Sequence, residues 1–197
     1  SGEKKGADYP VLAGDIGPYG AYLADGSEYT GSYSLTKEEY QEFHRRRIQI
    51  LKDAGAEIFE VETCPKLDEA IAVGEMLEEM GCDFWVSFTF TSKTRISDGT
   101  EIPVIAKELS RFSHLKALGV NCTPPELVAD IIRNYRSNTN LPICVYPNSG
   151  EIYDGIKKIW KGAPDGRTYG ERAKDWLDAG ANWIGGCCRT NPRDIKA

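Results

Sequence analysis

The chain has 197 residues, 41% of them hydrophobic and 27% charged, with a net charge of −6. This length holds one domain with a real core, and the acidic balance argues against a nucleic-acid partner. No apolar run is long enough to span a bilayer, and six cysteines are too few for a disulfide-built scaffold. No charged-then-apolar leader opens the sequence, so the expected compartment is cytoplasmic, where unbridged cysteines more often bind metal or catalyse. The two histidines, His44 and His114, lie in helix-like segments and read as surface or packing residues.

Residues Ser1 to Tyr9 read as a loose polar lead-in, and Val11-Leu12-Ala13-Gly14 as a short buried strand. A long loop follows, from Asp15-Ile16-Gly17-Pro18-Tyr19-Gly20 through Asp25-Gly26-Ser27-Glu28-Tyr29-Thr30-Gly31. Long loops of this composition often carry binding. Thr36-Lys37-Glu38-Glu39 is a capping box that opens a helix, and Gly55 ends it in the left-handed region. Ile58 to Thr63 reads as a strand closed by Cys64-Pro65, and a helix over about Leu67 to Met80 stops at Gly81. Phe84 to Phe90 is aromatic and β-branched, the clearest strand. A polar turn at Ser97-Asp98-Gly99 leads to a helix from about Ile102 to His114.

Leu118 to Cys122 is the next strand, and Thr123-Pro124-Pro125-Glu126 predicts a helix start with Thr123 as cap. Ile143-Cys144-Val145-Tyr146 is a strand that ends in Pro147-Asn148-Ser149-Gly150-Glu151. A loop over about Tyr153 to Gly170 follows, then a helix near Glu171 to Asp178, then a short buried strand at Trp183-Ile184. Asn191-Pro192-Arg193-Asp194 starts a last helix.

Strands alternating with helices predict a parallel sheet. Small or polar residues gather at the strands' C-terminal ends: Asp15, Glu62, Ser87, Asn121, Cys122, Asn148, Cys187 and Cys188. A (β/α)8 barrel places its active site at that one face. An open doubly wound sheet is the alternative. Only six strands are found where a barrel needs eight, and the length falls short of the roughly 250 residues typical of that fold. The expectation is a single domain over residues 1–197, an N-terminally incomplete barrel holding strands 3–8.

The chemistry centres on Gly185-Gly186-Cys187-Cys188-Arg189-Thr190. Neighbouring side chains on a strand point to opposite faces, so both thiols meet one metal only if the backbone breaks from extended geometry. Two glycines make that break cheap. Two thiolates do not complete a tetrahedral zinc site, and Cys122 is the best candidate for a third ligand. It precedes a helix start, where partial positive charge favours thiolate. Buried free cysteines are otherwise small core hydrophobes, and Cys64, Cys82 and Cys144 read that way.

Four segments, in this order, resemble the zinc-dependent homocysteine S-methyltransferases: Asp25 to Gly31, Gly119-Val120-Asn121-Cys122, Tyr146-Pro147-Asn148-Ser149-Gly150-Glu151 and Gly185 to Thr190. The first and third look like the branch that uses S-methylmethionine or S-adenosylmethionine as methyl donor. The resemblance implies a barrel with Zn2+ held by Cys122, Cys187 and Cys188. It implies that Glu62 binds the ammonium group of homocysteine, with Asn121, Asn148, Asp15 and Tyr19 as further substrate-binding candidates. The family's first strand, with its Asp-Gly-Gly motif, and its Thr-rich second strand find no counterpart here. Asp15 stands where the family more often has a small residue.

The implied reaction is methyl transfer from a sulfonium to a zinc-bound homocysteine thiolate, giving methionine. A free thiol has a pKa near 8.5, and zinc deprotonates a bound one. A sulfonium leaves as a neutral thioether, so no general acid is required. Tyr19, Tyr29 and Trp160 are candidates for cation–π contact with the donor. Two other readings compete: a phosphate-ligand barrel enzyme using the Gly-Gly after the last strand, and a non-catalytic zinc-binding barrel fragment.

Overall fold

A computed structural model describes residues 10–154, 159–161 and 165–196. Six strands form one parallel sheet: β1 (Ala13–Ile16), β2 (Ile58–Cys64), β3 (Phe84–Phe88), β4 (Leu115–Asn121), β5 (Ile143–Tyr146) and β8 (Trp183–Ile184). They lie side by side in chain order, every pair parallel. Helices fill the crossovers: α3 (Lys37–Asp53), α4 (Leu67–Glu79), α5 (Ile102–Leu109), α6 (Pro125–Arg136) and α7 (Tyr169–Ala179), with α8 (Pro192–Lys196) last. Strand order equal to chain order, without reversal, is the order of a barrel wall rather than of a doubly wound sheet.

Alternation along the strands sorts the side chains onto two faces. Phe59, Val61, Phe84, Val86, Phe88, Leu118, Val120, Ile143 and Val145 are buried with the apolar stripes of the helices. The other face carries Glu60, Glu62, Trp85, Ser87, Ala117, Gly119, Cys144 and Tyr146. Trp85, Ala117, Cys144, Tyr146 and Cys187 form a second, small cluster there. A Cβ on Gly119 would overlap Ser87 Oγ and come within 2.7 Å of the Cys144 carbonyl oxygen. Only glycine lets β3, β4 and β5 pack this closely.

Several elements differ from expectation, each for a tertiary reason. The first strand begins at Ala13; Val11 and Leu12 are 62% and 55% exposed because the ladder to β2 starts at the Ala13–Ile58 pair. Asp15 is therefore inside a strand and not in the loop. Trp183 is 41% exposed, so β8, an edge strand among the described residues, is only partly buried. The long loop after β1 contains two short helices, α1 (Tyr19–Leu23) and α2 (Ser27–Thr30). Left-handed residues at Ala24, Gly26 and Gly31 separate and end them. Helix α5 stops at Leu109, because the Glu78 carboxylate takes the backbone N–H groups of Ser113 and His114 and turns the chain into β4. Thr123 does not cap α6. Its hydroxyl donates to Asn121 O and accepts from Phe90 N, and Pro124 occupies the cap position with no side-chain bond. The loop expected over 153–170 includes a two-stranded antiparallel hairpin, β6 (Ile152–Asp154) and β7 (Ile159–Lys161). The lead-in over residues 1–9 and the side chain of Trp160 lie outside the described residues.

The loop holding α1 and α2 is pinned from below by Glu69 of α4, which is 1% exposed. Its carboxylate accepts from the Tyr19 backbone N–H at 2.6 Å and from the Tyr33 hydroxyl, and pairs with His44 Nε2 at 2.8 Å. His44 is thus a buried packing residue with a hydrogen-bond partner. His114 is partly exposed and pairs with Asp83 at 2.9 Å. No helix among the described residues is long and apolar enough to cross a membrane.

Candidate metal centre

Three cysteine sulfurs converge at the C-terminal end of the sheet. Cys122 follows β4, and Cys187 and Cys188 follow β8 by way of Gly185-Gly186. Their Sγ atoms lie within 4.8 Å of one another: 2.7 Å for Cys122–Cys187, 3.9 Å for Cys122–Cys188 and 4.0 Å for Cys187–Cys188. A tetrahedron with zinc–sulfur bonds of about 2.3 Å has edges of about 3.8 Å. Two of the separations already match that edge; the third must open by about 1 Å. The donors are soft thiols at the edge of solvent, the set that selects zinc over magnesium or calcium.

The backbone is bent to bring them together. Of the four described non-glycine residues with positive φ, three flank this cluster: Thr63 at 54°, Cys122 at 45° and Arg189 at 67°. Such strain persists only where the surroundings over-determine it. Asn121 supplies part of that support. Its amide accepts from Thr63 N at 2.9 Å and donates to Thr63 Oγ1 at 2.7 Å. Ser149 N donates to Cys188 O, Cys187 N to Pro147 O and Asn148 N to Thr123 O, which ties the loop after β5 to both cysteine segments. A Cβ on Gly186 would come within 2.7 Å of Thr190 Cβ. That glycine closes its own turn, which weakens the phosphate-loop reading of Gly-Gly.

The thiols are electrostatically coupled. The hydrogen bond from Cys122 holds Cys187 down at about 6 and pushes Cys122 far up. Burial raises Cys188. Burial and the mutual repulsion of neighbouring thiolates make the Cys122 and Cys188 protons hard to remove without a cation. A dication at the centre reverses that balance.

Beside the thiols stands a wall of carboxylates. Asp15 and Glu60 are paired across β1 and β2, and Glu62 is two residues further along the same face. Burial raises all three, and Glu62 reaches about 8, with the Glu60, Asp15 and Cys187 charges adding to the burial effect. Trp85 Nε1 donates at 3.3 Å to the Tyr146 hydroxyl beside Glu60, and Glu62, at about 8, keeps its proton near neutral pH. Crowded carboxylates of this kind, with Glu60 and Glu62 half-buried and Asp15 at their exposed edge, favour a cation as their partner.

The other expected residues are placed as follows. Asn148 Oδ1 is buried without a hydrogen-bond partner. Tyr19 packs its ring against Tyr22, Tyr33 and Phe43, and its backbone belongs to the Glu69 anchor. Tyr29, from α2, lies near Cys122 and Cys188; burial first, and then the negative charge these sulfurs would carry, raise it to about 12. Sequence reasoning missed Glu60, Thr63 and Tyr146. The Glu60-Val61-Glu62 alternation was the available signal for the first, since it puts two carboxylates on one strand face.

The family whose model matches is described as homocysteine S-methyltransferase, and the match covers residues 3–197. The chain is 46% identical over 188 residues to the homocysteine S-methyltransferase YbgG of Bacillus subtilis (strain 168), which covers 95% of this chain and 60% of the relative. It is 42% identical over 195 residues to the homocysteine S-methyltransferase of Escherichia coli (strain K12), with 95% and 61% covered. The crystal structure of the homocysteine methyltransferase MmuM from Escherichia coli, metallated form, superposes with a TM-score of 0.83 at 39% identity, over 96% of this chain and 60% of that one. The chain therefore spans about three-fifths of the length of the relatives it matches. The sheet of six parallel strands is the corresponding part of a barrel, and the chain belongs to the homocysteine S-methyltransferase family.

Proposed function

We propose that this chain carries the metal and substrate face of an enzyme that transfers a methyl group from a sulfonium donor to homocysteine, giving methionine. The observation that carries the reading is the convergence of three cysteine sulfurs from two strand ends beside the Asp15, Glu60 and Glu62 carboxylates. Cys122, Cys187 and Cys188 would hold zinc, which when bound supplies the positive charge that keeps the substrate sulfur as a thiolate at neutral pH.

This chain's residues do the rest. Glu62 takes the ammonium of homocysteine, and the bound cation draws the proton off Glu62. Asp15 deepens the negative potential there. Asn121 fixes Thr63 and so the backbone from which Cys122 points. Tyr19 anchors the loop that carries Tyr29, and the Tyr29 ring faces the donor cation, a contact of about 0.5–2 kcal/mol. Attack is in line: the homocysteine sulfur forms a bond to the methyl carbon as the bond from that carbon to the donor sulfur breaks. The electron pair goes to the donor sulfur, which leaves as a neutral thioether, and no proton is needed. Catalysis by alignment of two sulfurs about one carbon is an effect of proximity.

The test is methionine formation from homocysteine with S-methylmethionine and, separately, with S-adenosylmethionine, using the intact protein with and without zinc. Zinc-dependent methionine from at least one sulfonium is expected. Metal-binding protein that makes none from either donor would favour the non-catalytic zinc-binding reading.

A further inference from the structure

A cavity of about 420 Å³ opens next to the cysteines, between the N-terminal ends of α6 and α7 and the loop after β5. It is lined by Pro124, Pro125, Glu126, Asn148, Gly150, Glu151, Asp165 and Arg172. It shares a wall with the metal centre, since Asn148 N donates to the carbonyl of Thr123, the residue after Cys122, and Ser149 N to that of Cys188.

Two of its polar atoms have no hydrogen-bond partner among the described residues, and they are of opposite kind. Arg172 is only 4% exposed, yet its Nε–H is buried and unpaired. Its terminal nitrogen donates to Asp165 at 2.6 Å, and Nε is left to find a second acceptor. Asn148 Oδ1 is a buried acceptor with nothing to accept from. Leaving either bond unmade carries the desolvation penalty of a buried polar group. The first turn of α6 adds one backbone donor, the N–H of Glu126, since Pro124 and Pro125 have none and Leu127 N donates to Pro124 O. Glu126, Glu151 and Asp165 outnumber Arg172 in charge, and Arg189 offsets part of this by pairing with Glu151 at 2.7 Å.

An α-amino-acid head group has the two matching ends, a carboxylate to accept and an ammonium to donate. A sulfonium amino acid also carries a net positive charge, which suits the acidic lining. We propose that this cavity holds the α-amino-acid end of the methyl donor, with Arg172 and the α6 N-terminus binding its carboxylate, and with Asn148 Oδ1 and Glu126 binding its ammonium. The proposal rests on the methyl-transfer reading above. Homocysteine has the same head group, but Glu62 offers it a separate anchor on the inner face of the sheet. The two amino-acid heads then lie on opposite sides of the metal centre, with their sulfurs meeting between them.

The test combines binding and kinetics on the intact protein. Calorimetric titration with S-methyl-L-methionine is compared with its decarboxylated analogue, (3-aminopropyl)dimethylsulfonium. The wild type should bind the analogue about tenfold or more weakly, as expected for loss of a charge-assisted contact. Arg172→Gln should raise the donor KM by about tenfold or more and abolish discrimination between the two ligands, with homocysteine KM and zinc content unchanged. Because Arg172 is buried, Asn148→Ala on the loop serves as the second variant and should raise donor KM in the same direction. Equal binding of both sulfoniums by the wild type would overturn the proposal. So would a folded Arg172→Gln protein with wild-type donor KM, or a rise in homocysteine KM in its place. Failure of the underlying reading shows differently, as wild-type protein that makes no methionine from any donor, and takes the subsite with it.

Discussion

The two faces of one sheet are built to opposite rules. From β2 to β5, the face toward the helices is closed with phenylalanine, valine, leucine and isoleucine, all nearly or wholly buried. The other face of the same strands carries Glu60, Glu62, Ser87, Gly119 and Tyr146. Adjacent residues along one strand thus answer to different demands. The first face obtains its stability from burial of apolar surface. The second holds carboxylates above their ordinary range, a arrangement that favours a ligand over the empty state. Stability and chemistry are separated by a period of two residues.

Substitutions sharpen that separation, and the largest effect is expected on the helix-facing side. Phe88→Ala, at a fully buried position, should cost about 3–5 kcal/mol in denaturant unfolding. Next is the anchor beneath the α1–α2 loop. Glu69→Ala strips a buried partner from His44, Tyr33 and Tyr19 N, and should cost about 3 kcal/mol. Gly119→Ala should cost about 1–3 kcal/mol by overpacking against Ser87 and the Cys144 carbonyl.

On the inner face the sign itself depends on pH. Glu62 is raised from an ordinary 4.5 to about 8. A carboxyl raised in the folded state contributes stability that is present below its unfolded value and is lost as pH rises through the folded one. Metal-free wild type should therefore lose stability between about pH 5 and pH 8 relative to Glu62→Gln, while the variant shows a raised homocysteine KM. Parallel stability curves for the two proteins across that range would remove the carboxylate wall from the account. The smallest effect is expected outside both faces: Lys93→Ala, which breaks an exposed ion pair to Asp130, should stay within about 0.5 kcal/mol.

The three-cysteine cluster was legible because adjacent cysteines after two glycines are an unusual spelling, and because Cys122 stands at another strand end. The strand and helix order was legible from glycine stops and apolar runs. Glu60 was not, because Glu-Val-Glu reads equally well as a solvated strand edge; only its register between Asp15 and Trp85 places it on the inner face. Thr123 looked like a helix cap because capping is local, whereas its hydroxyl is used across the sheet by Phe90. The hairpin β6–β7 was missed because strands of three residues leave no periodicity to read. Tyr19 and Tyr29 looked equivalent in sequence, and tertiary packing turned one toward Phe43 and the other toward the thiols.

The central claim is that three cysteines form one metal site. Zinc stoichiometry of the intact protein under reducing conditions, beside Cys122→Ser, Cys187→Ser and Cys188→Ser, tests it most directly. The account predicts about one zinc per chain in the wild type and loss of tight binding in each variant. Full zinc occupancy in any one of the three variants, or none in the wild type with zinc supplied, would contradict it.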